Sequence, residues 1–385
     1  MSITPFKVEI PDSTLIDLRE RLARTRWPQD FANENWRYGA NTAYLKELCS
    51  YWETQYDWRA AEREMNTFSH FRTTIEGMPI HFIHERGKGP NPKPLILSHG
   101  WPWTFWDLKK VIRRLSDPAT FGGDPNDAFD VIVPSLPGYG FSTPLTTPGI
   151  NFWRTADLWV QLMGQLGYEK FYAEGGDWGS AVTAQLGHKY ADRVLGVYLH
   201  LMIPLTIFNQ AGADVSDYDA DEQALLAKNI NFFATESGYS ALQLTKPQTP
   251  AHALNDSPAG LAAWIVEKRR TWSDCGGNVE SRFTKDELCT VLTLYWATQS
   301  YGTSARYYYE CMHNPWKPSH DRMPVVESPT GIAVFDKEVA NMPRRWCQRY
   351  YNLKHSTSFA SGGHFAPMEE PEALVDDIRA FFRKL

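Results

Sequence analysis

The residues best placed for chemistry lie in Gly175-Gly176-Asp177-Trp178-Gly179, where one carboxylate stands at the centre of a small-residue turn. An apolar run precedes this pentapeptide and a helical pattern from Ser180-Ala181-Val182 follows it, so it reads as a sharp strand-to-helix elbow with Asp at its tip. Such a turn strains its central residue, tolerates only small neighbours, and sets the Trp178 N–H beside the carboxylate at a helix amino terminus. The plainer reading is a helix-capping Asp in an ordinary turn. Partners decide between them. An Asp with the usual pKa of about 3.9 is ionised at neutral pH and attacks an alkyl-type electrophile without help from a base, which a serine cannot do. The ester so formed then needs a base to hydrolyse it. His364 in Ser361-Gly362-Gly363-His364-Phe365 is a candidate, whereas most of the other ten histidines read as exposed turn residues. Phe335-Asp336-Lys337-Glu338 brings two carboxylates, and His99-Gly100-Trp101-Pro102 is a further Gly-containing turn.

The elements that must position these residues follow from periodicity. From Met78 onward, short apolar runs ending in Gly-rich turns alternate with helical patterns, as in βα units of a parallel sheet. Strands are predicted over Ile80 to His84, Leu95 to Ser98, Val131 to Pro134, Phe171 to Glu174, Val194 to Leu199, Gly331 to Phe335 and Ser356 to Ala360, with a closing helix over Pro371 to Leu385. The elbow, both carboxylates, His364 and the His99 turn each directly follow one of these strands. Between Met202 and Glu327 the strand pattern lapses and helical stretches such as Ala259 to Trp272 and Asp286 to Tyr309 replace it, which predicts a lid inserted between two strands. Leu15, Leu18 and Leu22, then Leu45, Leu48 and Trp52, give residues 1–77 the pattern of a helical extension packed on the core. The expected organisation is thus an extension over 1–77, an α/β core over 78–201 and 328–385, and a helical lid over 202–327.

Composition narrows the function classes. A length of 385 residues buries a sizeable core, and the net charge of −6 without any Lys/Arg run argues against a nucleic-acid surface. Aromatic residues at 14%, with 15 Trp, suit an apolar pocket. The five cysteines are odd in number and never form a Cys-x-x-Cys pair, which reads as reduced, zinc-free and cytoplasmic. No run approaches the roughly 18 apolar residues of a membrane span, and the amino terminus lacks the apolar core of a signal peptide.

Taken together, these residues resemble the α/β-hydrolase superfamily, and within it the epoxide hydrolases of the microsomal type. The likeness spans nearly the whole chain. Its longer signatures are Arg26-Trp27-Pro28, Tyr56-Asp57-Trp58-Arg59, Pro137-Gly138-Tyr139-Gly140-Phe141-Ser142, Thr245-Lys246-Pro247-Gln248-Thr249, Leu254-Asn255-Asp256-Ser257-Pro258 and Gly362-Gly363-His364-Phe365. The resemblance implies an α/β-hydrolase fold: a mostly parallel central sheet flanked by helices. The superfamily order of nucleophile, acid and histidine implies Asp177, a carboxylate after the penultimate strand, and His364. The family pattern favours Glu338 over Asp336. It also implies an oxyanion hole from the N–H groups of Trp101 and Trp178, and two lid tyrosines that donate protons to the epoxide oxygen. The first falls on Tyr239; the second lies among Tyr307, Tyr308 and Tyr309, where matching Arg306 and Glu310 selects Tyr308. Neither metal nor organic cofactor is implied. The partners are a small apolar epoxide and water. Because the sequence starts directly at the extension, it resembles soluble microbial members rather than membrane-anchored ones, and a homodimer is compatible with it.

The expected product is a vicinal diol, formed through an alkyl ester on Asp177 that water activated by His364 hydrolyses. Two other readings compete. A haloalkane dehalogenase also uses an elbow Asp but holds a halide with Trp or Asn N–H donors, so Tyr239 and Tyr308 discriminate. A non-catalytic small-molecule receptor on the same fold has no need of a complete triad. The choice of epoxide, the ring carbon attacked and the enantiopreference depend on lid geometry that the sequence does not specify.

Overall fold

The computed structural model describes residues 2–209 and 212–385. Its strands are β1 (Thr4–Pro5), β2 (His70–Ile75), β3 (Met78–Glu85), β4 (Lys93–Ser98), β5 (Phe129–Pro134), β6 (Phe171–Gly175), β7 (Val194–Leu199), β8 (Val326–Lys337) and β9 (Tyr351–Gly363). They form one sheet in the order β1-β2-β3-β5-β4-β6-β7-β8-β9. The three pairings from β1 to β5 are antiparallel and the rest are parallel. Central strands read as unbroken apolar runs, Leu95-Ile96-Leu97 and Val131-Ile132-Val133, because helices cover both faces and every one of these side chains is buried.

The extension carries α1 (Asp12–Ala23), α2 (Thr42–Thr54) and α3 (Trp58–Met65). On the sheet lie α4 (Lys109–Ser116), α5 (Phe152–Gln165) and α6 (Trp178–Lys189), the last buried along Trp178 to His188. Between β7 and β8 come α7 (Gln223–Thr235), α8 (Gly238–Thr245), α9 (Gln248–Asp256), α10 (Pro258–Trp272), α11 (Lys285–Ala297) and α12 (Tyr301–His313). Then α13 (Arg344–Tyr350) links β8 to β9, and α14 (Ala366–Glu369) and α15 (Pro371–Phe382) close the chain. Local chemistry starts several of these helices. Asn41 and Asn151 accept N–H bonds at the heads of α2 and α5, Ser257 caps α10 ahead of Pro258, and Thr284 with Glu287 makes a capping box on α11.

Three expectations are corrected. The segment 1–77 is not purely helical, since it supplies β1 and β2; Glu76 and Gly77 both take positive φ (50° and 81°), the two-residue turn that joins antiparallel strands β2 and β3. The helical stretch Asp286 to Tyr309 is two helices, broken at Gln299 with φ of 53°, without a Gly or Pro to announce it. And His70, His81, His84, His99, His188 and His200 are buried rather than exposed. Two of them satisfy one another and a neighbour: His70 Nδ1 lies 2.9 Å from His81 Nε2, and His81 Nδ1 lies 2.9 Å from Ser135 Oγ. Burial holds His70 neutral by pushing its pKa down to about 4.

Candidate active site

The site is assembled where parallel strands end, the usual place for ligands in open α/β sheets. Ser98 and Gly175 are register partners on β4 and β6, so the His99–Pro102 loop runs beside the elbow. Likewise Lys337 pairs with Gly363 across β8 and β9, which brings the next residues, Glu338 and His364, together.

Asp177 occupies the tip of the elbow at φ 52° and ψ −128°, a conformation costing a non-glycine residue about 1–3 kcal/mol. Close packing maintains it. A side chain on Gly179 would collide with the Ser98 carbonyl, one on Gly176 with the His200 imidazole, and one on Gly100 with the Asp177 carboxylate. Trp101 donates its backbone N–H to Asp177 Oδ1 at 2.7 Å, and the Trp178 N–H is near enough to favour the charged carboxylate. On the other side, His364 Nε2 stands 3.5 Å from Asp177 Oδ2, while its Nδ1 is 2.8 Å from Glu338 Oε1. Asp336 points elsewhere: it is exposed and pairs with Lys337 at 2.6 Å. Of the two carboxylates, therefore, only Glu338 meets the imidazole.

Electrostatics follow from burial. Desolvation raises the Asp177 pKa above the ordinary carboxylate value, opposed by His364 and by the Trp101 and Trp178 N–H groups. For His364, burial disfavours the charged ring, but the charge and hydrogen bond of Glu338, with the charge of Asp177, outweigh it and raise its pKa.

Two phenols from the helical insertion complete the enclosure. Tyr239 stacks on Trp101 with centroids 5.0 Å apart, and Tyr308 meets the edges of Trp101 and Trp178 at 6.0 and 4.7 Å. Their rings are 6.0 Å apart. Burial keeps both far above the ordinary phenol pKa, and the Asp177 charge adds to the effect. The neighbouring tyrosines diverge as helical geometry requires: the Tyr307 hydroxyl bonds Thr155 Oγ1 at 2.9 Å, and Tyr309 stacks on His313 at the surface.

Sequence reasoning missed two buried polar pairs at the site. Glu174 and His200 lie beneath the elbow with Oε1 and Nδ1 2.9 Å apart. Arg269 of α10 pairs with Asp107 at 2.5 Å. Neither pair had a sequence signal, since each joins residues far apart in the chain. Among the described residues, no group of three or more His, Cys, Asp or Glu side chains is arranged to hold a metal ion. A cavity of about 720 Å³ between α1, α9 and α12 is an open polar cleft lined by Asp17, Arg21, Asp256 and Arg306, and contains none of these site residues.

An Asp elbow, a His–Glu pair and a sheet of this order define an α/β hydrolase with a carboxylate at the tip of its elbow. Residues 93–242 match the family model described as alpha/beta hydrolase fold, and residues 3–108 match the model described as epoxide hydrolase N terminus. Epoxide hydrolase 1 of Sus scrofa is 39% identical over 401 residues, covering 99% of this chain and 88% of that protein. A Stigmatella aurantiaca protein provisionally named an epoxide hydrolase is 41% identical over 384 residues, covering 100% of this chain and 85% of its own length. Among solved structures, the Aspergillus niger epoxide hydrolase superposes with a TM-score of 0.87 at 29% identity, covering 100% of this chain and 97% of that one. The chain belongs to the epoxide hydrolase family, enzymes that add water to an epoxide.

Proposed function

We propose that this epoxide hydrolase works through a covalent ester on Asp177. The observation that carries the reading is the convergence of Asp177, the Trp101 N–H, the His364–Glu338 pair and the rings of Tyr239 and Tyr308 on one buried site. Asp177 attacks a ring carbon of the epoxide as the phenols of Tyr239 and Tyr308 hydrogen-bond the departing oxygen and supply its proton. Neutral phenols suit that task because they remain protonated until charge develops. The segment 202–327 acts as the lid that brings both of them over the nucleophile. His364 then takes a proton from water, which attacks the ester carbonyl carbon; Glu338 holds the ring and supports the imidazolium. The N–H groups of Trp101 and Trp178 receive the oxyanion. Collapse of the tetrahedral intermediate expels the diol oxygen, which takes the proton back from His364, and the acid proton left on Asp177 passes to the tyrosinate to restore both groups.

The surroundings of the phenols support a small apolar epoxide as substrate. Trp101, Trp178 and Trp272 pack around Tyr239 and Tyr308, giving the oxygen-binding end of the site an aromatic wall. The five cysteines are free and buried, in keeping with a reducing, cytoplasmic setting.

Replacing both phenols tests the reading. In Tyr239→Phe/Tyr308→Phe, ester formation from an aryl epoxide, followed by rapid mixing and intact-protein mass, should slow by a factor on the order of 10² to 10⁴. A double variant that opened the epoxide at the wild-type rate would contradict it.

A further inference from the structure

We infer that Arg269 on lid helix α10 is a positioning residue for the oxyanion-binding loop, and that hydrolysis of the ester depends on it more than formation of the ester does. The inference rests on the covalent mechanism proposed above.

Arg269 and Asp107 are among the most deeply buried charges in the molecule, with side chains 2% and 1% exposed. Such a pair is a poor stability device, because desolvating two charges roughly cancels their attraction. Its geometry indicates another role. One guanidinium nitrogen, Nη1, donates to Asp107 Oδ1 at 2.5 Å; the other, Nη2, donates to the Pro102 carbonyl at 3.0 Å. The second Asp107 oxygen accepts the Thr104 N–H at 2.7 Å. A neighbouring lid helix adds a third hold, since the Tyr295 hydroxyl of α11 donates to the Trp103 carbonyl at 2.8 Å. Residues 102–104 are therefore clamped from the lid side. The Gly100–Trp101 peptide next to them carries the N–H that reaches Asp177 Oδ1.

The same arginine also touches the base loop. Its guanidinium lies 4.1 Å from the ring centroid of Phe365, and His364 donates its own backbone N–H to the Trp272 carbonyl, one turn along α10, at 2.9 Å. One turn of one lid helix thus fixes both the oxyanion donor and the base.

The two chemical steps use the Trp101 N–H differently. During ester formation, negative charge leaves Asp177 and builds on the epoxide oxygen under the phenols, so the hydrogen bond to Oδ1 weakens. During hydrolysis, charge returns to Oδ1 as an oxyanion, and the same bond strengthens. Only an interaction stronger in the transition state accelerates a step. A displaced Trp101 N–H therefore penalises hydrolysis and spares ester formation.

The test is single-turnover kinetics with excess enzyme and styrene oxide, following the adduct by intact-protein mass in wild type, Arg269→Met/Asp107→Leu and Asp107→Asn. The first variant removes both charges, leaving no uncompensated ion in the core; the second keeps the volume and provides the same reading if the first does not fold. The expected result is an adduct that forms within about threefold of the wild-type rate but decays about tenfold or more slower, so that it accumulates. Equal slowing of both steps, or wild-type decay in a folded variant, would overturn the positioning role and leave the pair as packing alone. Failure of wild type to form any adduct on Asp177 would instead overturn the covalent mechanism, and this inference with it.

Discussion

At the scale of single residues, the site is a set of charges whose balance changes during turnover. In the resting enzyme Asp177 and Glu338 both favour a protonated His364. On the proposed covalent route, esterification neutralises Asp177, leaving burial opposed by Glu338 without the Asp177 charge. The imidazole then loses its proton more readily, when a neutral base is needed. Protonated His364 cannot accept a proton from water, so the hydrolysis rate rises with pH through the His364 pKa. Glu338→Gln removes the main raising influence. The midpoint of the acid limb for adduct decay should move to lower pH while the plateau rate falls; an unchanged midpoint, measured by single-turnover decay across pH, would assign the raised pKa to another group. Asp177 and His364 stood out in the sequence because each follows a strand in a Gly-rich turn, whereas Tyr239 and Tyr308 came only through the family resemblance, Tyr308 by matching Arg306 and Glu310. Choosing Glu338 over Asp336 needed the family pattern, because both follow the same strand. Arg269 was not legible at all. A charged residue in an amphipathic helix reads as solvated unless its partner is known, and Asp107 lies 162 residues away.

At the scale of elements, the sheet and the helical insertion between β7 and β8 hold the site between them, and the extension packs against the insertion. The Trp52 indole N–H of α2 donates to Thr293 Oγ1 of α11 at 2.9 Å, and Tyr56 meets Thr290 on the same helix at 2.8 Å. Two residues beyond Thr293, Tyr295 holds the loop that carries the Trp101 N–H. Trp52→Ala should therefore cost about 3–5 kcal/mol of stability, from the cavity it opens and the lost donor to Thr293. Denaturant unfolding measures that loss, and a change under 1 kcal/mol would show that the extension only rests on the lid. The parallel strands were readable because burial on both faces demands continuous apolar runs. β2 was not, since His70-Phe71-Arg72-Thr73-Thr74-Ile75 mixes polar and apolar residues in a strand pairing on both sides near the sheet edge. The break between α11 and α12 was equally hidden: apolar periodicity continues on both sides of Gln299.

At the scale of the whole molecule, the carboxyl edge of the sheet supplies Asp177, His364, Glu338 and the Trp101 N–H, while the segment between β7 and β8 supplies Tyr239 and Tyr308. Among the described residues no helix is long and apolar enough to cross a membrane. In the proposed mechanism the Asp elbow and the tyrosine pair have separate tasks: the first forms the ester, the second protonates the epoxide oxygen. The covalent ester is the central claim, and one turnover of excess enzyme in oxygen-18 water tests it most directly. Water attacks the ester at the Asp177 carbonyl carbon, so the first diol should carry only unlabelled oxygen and the label should appear in the Asp177 carboxylate. Label in the diol on that first turnover, with none in Asp177, would mean that water attacks the epoxide directly and would contradict the account.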